Sequence, residues 1–241
     1  NDAGAGLASA LGVKFYDSDG QSFIPVGGTL SQVTKIDISE AAELLNGVNL
    51  IGMCDVTNPM YGENGAAHIF APQKGASPED VLFLDQQLKT FSDTIEKNLK
   101  KNVSNIPGSG AAGAMGAGIL AFLNGRLVSG IDILLDMIDF KNLLLETDYI
   151  ITGEGRFDSQ SLSGKVVSGI STVAKASNVP TLVVTGCIGK DLPELEPYGI
   201  SQVFKTNKIN FHKPHDEICR QAEVALQQKM VDVIKYIEER I

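Results

Sequence analysis

The densest group of reactive side chains in the sequence is Thr152-Gly153-Glu154-Gly155-Arg156-Phe157-Asp158-Ser159-Gln160, with Lys165 a few positions further on. It follows the apolar run Asp148-Tyr149-Ile150-Ile151-Thr152 and leads into a helical pattern. That places it at the carboxyl end of a strand, where open α/β sheets receive ligands. Glu154 and Asp158 suit a divalent cation or a hydroxyl proton, Arg156 and Lys165 suit phosphate, and the glycines let a ligand approach the backbone. The plainer alternative is a turn in which Arg156 and Asp158 merely pair with each other. The crowding of polar groups into one strand-to-helix connection favours chemistry. A second group, Asp55-Val56-Thr57-Asn58-Pro59, ends the buried-strand pattern that starts at Asn49, and Pro72-Gln73-Lys74-Gly75 adds a cation beside a turn. Asp55 taken alone serves equally as a loop cap. Two crests that each combine acid and cation suit phosphoryl transfer, which needs positioning and charge stabilisation more than covalent chemistry.

These groups need a scaffold, and the apolar spacing supplies one. Small residues over 3–12 favour a helix ending at Gly12, followed by a short strand over 13–16 and a turn at 17–20. Ser39 is a plausible cap for a helix over 40–45. Residues 57–77 read as a long loop rich in Gly, Pro and Asn, and Pro78-Glu79-Asp80 opens a helix that closes near Asn102. Leu82, Leu84, Leu88, Phe91 and Ile95 form its apolar stripe. Residues 107–123 read as a glycine-rich helix entrance and 131–145 as a buried element. In the last third, a strand over 148–152, a loop over 153–163, a helix over 164–176 and a strand over 180–185 make a β-α-β unit with a right-handed crossover. Val203-Phe204 adds a strand, and a helix over 216–240 ends the chain.

Several chemistries are disfavoured. The 241 residues carry 20 Lys and Arg against 29 Asp and Glu, a net charge of −9 without a basic patch, which argues against nucleic acid. No apolar run is long enough to span a membrane. Cys54, Cys187 and Cys219 are widely spaced, which fits a reducing, cytoplasmic setting. Gly108-Ser109-Gly110-Ala111-Ala112-Gly113 spells G-x-G-x-x-G but follows no strand, so close packing or an anion held by bare N–H groups is the better reading than a dinucleotide site. Ser159 and Val166 stand where a Walker A loop requires Gly and Ser or Thr. His68, His212 and His215 are too scattered for zinc, and no G-x-S-x-G elbow is present.

The run from Thr152 to Gln160 with Gly164-Lys165 resembles the signature of the type I glycerate kinases. Similar to the same family, in the same order, are Asn1-Asp2-Ala3-Gly4-Ala5-Gly6, Cys54-Asp55-Val56-Thr57-Asn58-Pro59 with Gly62 and Gly65, Pro72-Gln73-Lys74-Gly75-Ala76, and Gly108 to Gly118. The resemblance implies an ATP- and Mg2+-dependent kinase that phosphorylates a hydroxyl of D-glycerate in a cleft between two α/β domains. It also implies a preceding N-terminal segment, with an Asp-Ser-Phe-Lys-Gly run, that belongs to the domain completed by the C-terminal third. The expected fold is two α/β domains. Residues 1–130 form a distinct, inserted α/β domain with glycine-rich helices, and residues 131–241 form part of a doubly wound, Rossmann-like parallel-sheet domain. Asp158 is the expected base or hydroxyl-orienting group, with Asp55 or Glu154 near Mg2+. Lys165, Arg156 and Lys74 neutralise phosphate or the glycerate carboxylate, and the amides around Gly110 and Gly113 hold an anion. Asn1, Asp2, Asn58 and Gln160 complete the expected substrate-binding set. The alternatives are a non-catalytic module that binds glycerate or nucleotide, and a dehydrogenase, which the glycine context disfavours. Oligomeric state stays open.

Overall fold

In the computed structural model the described residues are 1–162, 165–206 and 213–240. The chain is a mixed α/β protein that divides into two units, Asn1–Gly130 and Ile131–Ile241.

In the first unit, helix α1 (Ala5–Ala10) precedes a small antiparallel sheet of β1 (Lys14–Tyr16), β2 (Ser22–Phe23) and β3 (Lys35–Asp37), ordered β2-β1-β3. The turn between β1 and β2 is shaped by the Asp17 carboxylate, which accepts from the N–H groups of Asp19 and Gln21. Helix α2 (Ser39–Leu44) leads to β4 (Ile51–Met53), which runs parallel to β5 (Arg126–Val128). Residues 57–77 are not a structureless loop, because they contain helix α3 (Ala66–Phe70) and a 3-10 turn at Pro72–Lys74. Helix α4 (Pro78–Leu99) starts at a capping box. The Ser77 hydroxyl accepts from the Asp80 N–H, and the Asp80 carboxylate accepts from the Ser77 N–H. Its buried stripe is Val81, Leu88, Phe91 and Ile95, whereas Leu82 points to solvent at 64% exposure. Phe91 meets Phe15 of β1 and Phe122 of helix α5 (Ala111–Phe122) at ring centroid distances of 6.0 and 5.9 Å, and this aromatic trio is the centre of the unit's core.

Helix α5 is not regular. Ala112, Gly113 and Ala114 all have left-handed φ angles, 52°, 71° and 66°, so the glycine-rich stretch opens with a left-handed turn before the helix proper. Left-handed alanine is strained by about 1–2 kcal/mol per residue, so the surrounding contacts must hold it. Part of that hold is the Ala3 N–H, which donates to the Gly113 carbonyl at 3.1 Å.

The second unit opens with α6 (Gly130–Met137) and α7 (Phe140–Leu143). This stretch differs from the buried element expected there: Met137 and Leu145 are 77% and 80% exposed. Strands β6 (Ile150–Phe157), β7 (Thr181–Ile188) and β8 (Ile200–Lys205) form a parallel sheet in that order. Helix α8 (Val166–Ala176) links β6 to β7, and α9 (His215–Glu238) follows β8. Side-chain alternation along β7 sends Val183 to the Val167 side and Leu182 and Val184 to the Val233 side. The two helices therefore cover opposite faces of the sheet, a three-layer arrangement. Strand β6 is an edge strand among the described residues, and its Ile151 is 44% exposed.

Candidate functional site

In the second unit, β6 is longer than its apolar core suggests. It stays paired with β7 through Arg156↔Cys187 and Phe157↔Ile188, so Glu154 and Arg156 lie on a strand and not in the loop expected over 153–163. Phe157 is fully buried and anchors this extension. Immediately after it the Asp158 N–H donates to the Ser161 hydroxyl at 3.1 Å, and the Ser161 N–H donates to the Asp158 carbonyl at 3.0 Å. Behind it, the Gly189 N–H donates to the Phe157 carbonyl at 2.8 Å. A Cβ on Gly189 would come within 2.5 Å of the Asp158 Cβ, so glycine is what lets the aspartate sit there. The Arg156 guanidinium donates to the Asp158 carboxylate at 3.0 Å, the pairing that the plainer sequence reading describes. Arg156 is well exposed, which makes the pair loose and leaves the guanidinium open to an anion from solvent.

Glu154 differs in kind. Its Oε1 atom is buried and has no hydrogen-bond partner among the described residues. A buried unpaired carboxylate oxygen is costly, and a bound cation or donor removes that cost. Lys165 is exposed and caps α8, where its carbonyl accepts from the Gly169 N–H at 2.8 Å and the Ser168 hydroxyl at 3.0 Å. The side chain of Gln160, and Gly164, lie outside the described residues, as does His212. A cavity of about 760 Å3 opens along β6, lined by Ile151, Glu154, Val184 and Lys205 on the sheet and by Leu226 and Met230 on α9. Its size is that of a small-molecule site. The β8 and α9 contributions were not singled out from the sequence, since apolar helix positions read simply as core.

In the first unit, Asn58, Gly110, Gly113, Asn1, Asp2 and Lys74 are brought into one neighbourhood. The Gly110 N–H donates to the Asn58 carbonyl at 2.9 Å, and a Cβ on Gly110 would come within 2.1 Å of the Pro59 carbonyl oxygen. Gly110 is therefore needed for close backbone approach. Its own amide is engaged by the Asn58 carbonyl. A Cβ on Gly113 would stand 3.1–3.2 Å from Asn1, including the Asn1 Oδ1 atom, which is buried and unpartnered among the described residues. The Asp2 carboxylate accepts from the Gly4 and Gly6 N–H groups at 3.1 and 3.2 Å, so it shapes the turn into α1. Lys74 lies close enough to the Asn1 nitrogen for its charge to be felt there.

Asp55 accepts from the Gly130 N–H at 2.9 Å, the capping role left open by the sequence. One of its oxygens is thus committed to structure, and no group of three or more metal-ligating side chains forms among the described residues. No helix among them is long and apolar enough to cross a membrane.

A family model described as the glycerate kinase family matches residues 1–238. A glycerate kinase of Halalkalibacterium halodurans is 38% identical over 228 residues, which is 95% of this chain and 60% of that protein. A glycerate 2-kinase of Escherichia coli is 40% identical over 226 residues, 91% of this chain and 59% of its own. Among solved structures, a Salmonella typhimurium LT2 protein whose assignment as glycerate kinase 2 is provisional superposes with a TM-score of 0.79 at 34% identity. It covers all of this chain and 63% of its own. The chain thus spans about 60% of the length of the relatives it matches.

Proposed function

The chain belongs to the glycerate kinase family, and from that premise we propose that the protein carrying it transfers the γ-phosphoryl group of ATP to a hydroxyl of D-glycerate. The single observation that carries this reading is the β6 crest, where a buried Glu154 oxygen without a partner among the described residues, the Arg156–Asp158 pair and the helix-capping Lys165 succeed one another from the end of β6 to the start of α8. Phosphoryl transfer asks for these parts: a carboxylate to receive or orient the hydroxyl proton, cations for the transferred group, and an oxygen donor for a metal. Asp158, whose backbone is fixed by Ser161 while Gly189 holds the carbonyl of the preceding Phe157, is the group that accepts the proton or orients the hydroxyl. Arg156 and Lys165 offset charge on phosphate.

Glu154 fits Mg2+, because its buried Oε1 atom has no partner among the described residues and Mg2+ is held by one or two carboxylates together with substrate phosphates. Mg2+ supplies charge neutralisation between phosphates when bound. Asp55 is the weaker candidate, since it already holds Gly130. In the first unit, Asn58, Lys74 and the left-handed turn at Gly113, together with Asn1 and Asp2, bind the anionic and hydroxyl groups of substrate. The two units act as an inserted α/β domain and the C-terminal part of a Rossmann-like domain. A further segment of the protein, N-terminal to residue 1, adds to the edge of β6 that is unpaired among the described residues. The setting is the cytoplasm. The test is phosphorus NMR on ATP, Mg2+ and D-glycerate incubated with the full product of the gene. A phosphoglycerate signal that requires both substrates is expected, and ATP left intact by folded protein overturns the reading.

A further inference from the structure

The long helix α4 reaches the substrate-binding loop through one side chain that has no role so far. Asp85, only 19% exposed, accepts from the Gly62 N–H at 2.8 Å through Oδ1, and its Oδ2 lies 4.0 Å from Nε2 of His68. These contacts are not generic surface pairing, because each falls on a different part of residues 57–77. Gly62 opens a tight turn in which its carbonyl accepts from the Gly65 N–H at 2.7 Å. The same turn presents the Asn64 carbonyl, which accepts from the Asn58 side-chain amide at 2.8 Å. The Asn58 carbonyl in turn accepts from Gly110. His68 sits on α3, and Ala71 at the end of that helix accepts from the Lys74 N–H at 2.9 Å.

We infer that Asp85 is a positioning residue for Asn58: it clamps the turn that aims the Asn58 amide. A backbone N–H bound to a carboxylate is one of the stronger hydrogen bonds available, and it is shielded here by partial burial. The clamp comes from the longest helix of the unit, whose own placement is fixed by Leu88, Phe91 and Ile95 in the core. A loop held this way keeps its side chains in reach of substrate without ordering them at each encounter.

The inference rests on the glycerate kinase reading for its kinetic test but not for its spectroscopic one. In the full product of the gene, Asp85→Ala is expected to lower kcat/KM for glycerate by about tenfold or more at a temperature where circular dichroism shows the variant folded. Asp85→Asn keeps an oxygen for the Gly62 N–H and is expected to stay within about threefold of wild type. The Asn58 side-chain amide resonance is expected to move in Asp85→Ala and to stay in place in Asp85→Asn. Should Asp85→Ala not fold, Asp85→Glu, which pushes the carboxylate out by one methylene, replaces it under the same two criteria. An Asn58 resonance that ignores the substitution overturns the inference, as does a loss of stability with kcat/KM within about twofold of wild type. Wild-type protein without turnover removes the kinase reading and leaves the resonance to decide on Asp85.

Discussion

Gly110→Ala tests how the glycine-rich turn supports the first unit's cluster. An added methyl would lie 2.1 Å from the Pro59 carbonyl oxygen and 3.1 Å from that of Asn58. A carbon–oxygen contact settles near ~3.3 Å, so the two backbones must separate by about 1 Å. Overpacking of this kind costs about 1–3 kcal/mol, and the Gly110 N–H to Asn58 hydrogen bond adds about 1 kcal/mol when broken. The expected loss is about 2–4 kcal/mol, read by urea unfolding followed by circular dichroism. The same 1 Å moves Asn58, and displacement on that scale is expected to reduce kcat/KM by up to ~100-fold. Gly20→Ala is the control, since Gly20 has a φ of +74° but nothing within 4 Å of a new Cβ. Backbone strain alone then costs about 1–2 kcal/mol and turnover stays unchanged. A Gly110→Ala protein no less stable than Gly20→Ala, with full turnover, refutes the close-approach argument.

Three further outcomes are expected. Ser77→Ala removes the α4 cap and should cost about 1 kcal/mol in urea unfolding while kcat holds. The Ser77 hydroxyl and N–H also hold the Asp80 carboxyl below its ordinary value of 3.8. Because the folded value is the lower one, that stabilisation is complete above the unfolded value and is lost as pH falls through the folded one. The gap between wild type and Ser77→Ala should therefore narrow at the acid end of a pH series. Phe91→Ala empties the centre of the aromatic trio and should cost about 3–5 kcal/mol; a loss below about 1 kcal/mol contradicts the core assignment. Glu154→Gln removes the carboxylate's charge, so the Mg2+ concentration needed for half-maximal turnover should rise about tenfold or more, and an unchanged requirement removes Glu154 from the metal.

The β-α-β unit was legible because its strands are continuous apolar runs and its helix has the helical period, as expected of a sheet buried on both faces. The end of β6 was not. Gly153, Glu154, Gly155 and Arg156 carry no strand pattern, and only pairing with β7 and the buried Phe157 extend the strand over them. Short strands such as Ser22–Phe23 and Lys35–Asp37 escaped for the opposite reason: two or three residues are too few to show a period. The left-handed turn at Ala112–Ala114 is invisible to propensity, since two of its three residues are good helix formers. At the site, Asp55 shows how residue type limits the reading. A carboxylate after a strand suits both a metal and an N–H cap, and only the Gly130 contact distinguishes them. Asp85 gave no signal, because an aspartate on the polar side of a helix looks like a solvated residue until its loop partner is seen.

The most direct test of the central claim is ADP release coupled to a reporter, with ATP, Mg2+ and D-glycerate, on the full product of the gene in wild-type and Asp158→Ala forms. Glycerate-dependent ADP release by the wild type is expected, with a loss of at least about 100-fold in a folded Asp158→Ala protein, within the range general-base catalysis contributes. Turnover by Asp158→Ala close to wild type would contradict the role given to the β6 crest, and silence from the folded wild type would contradict glycerate phosphorylation itself.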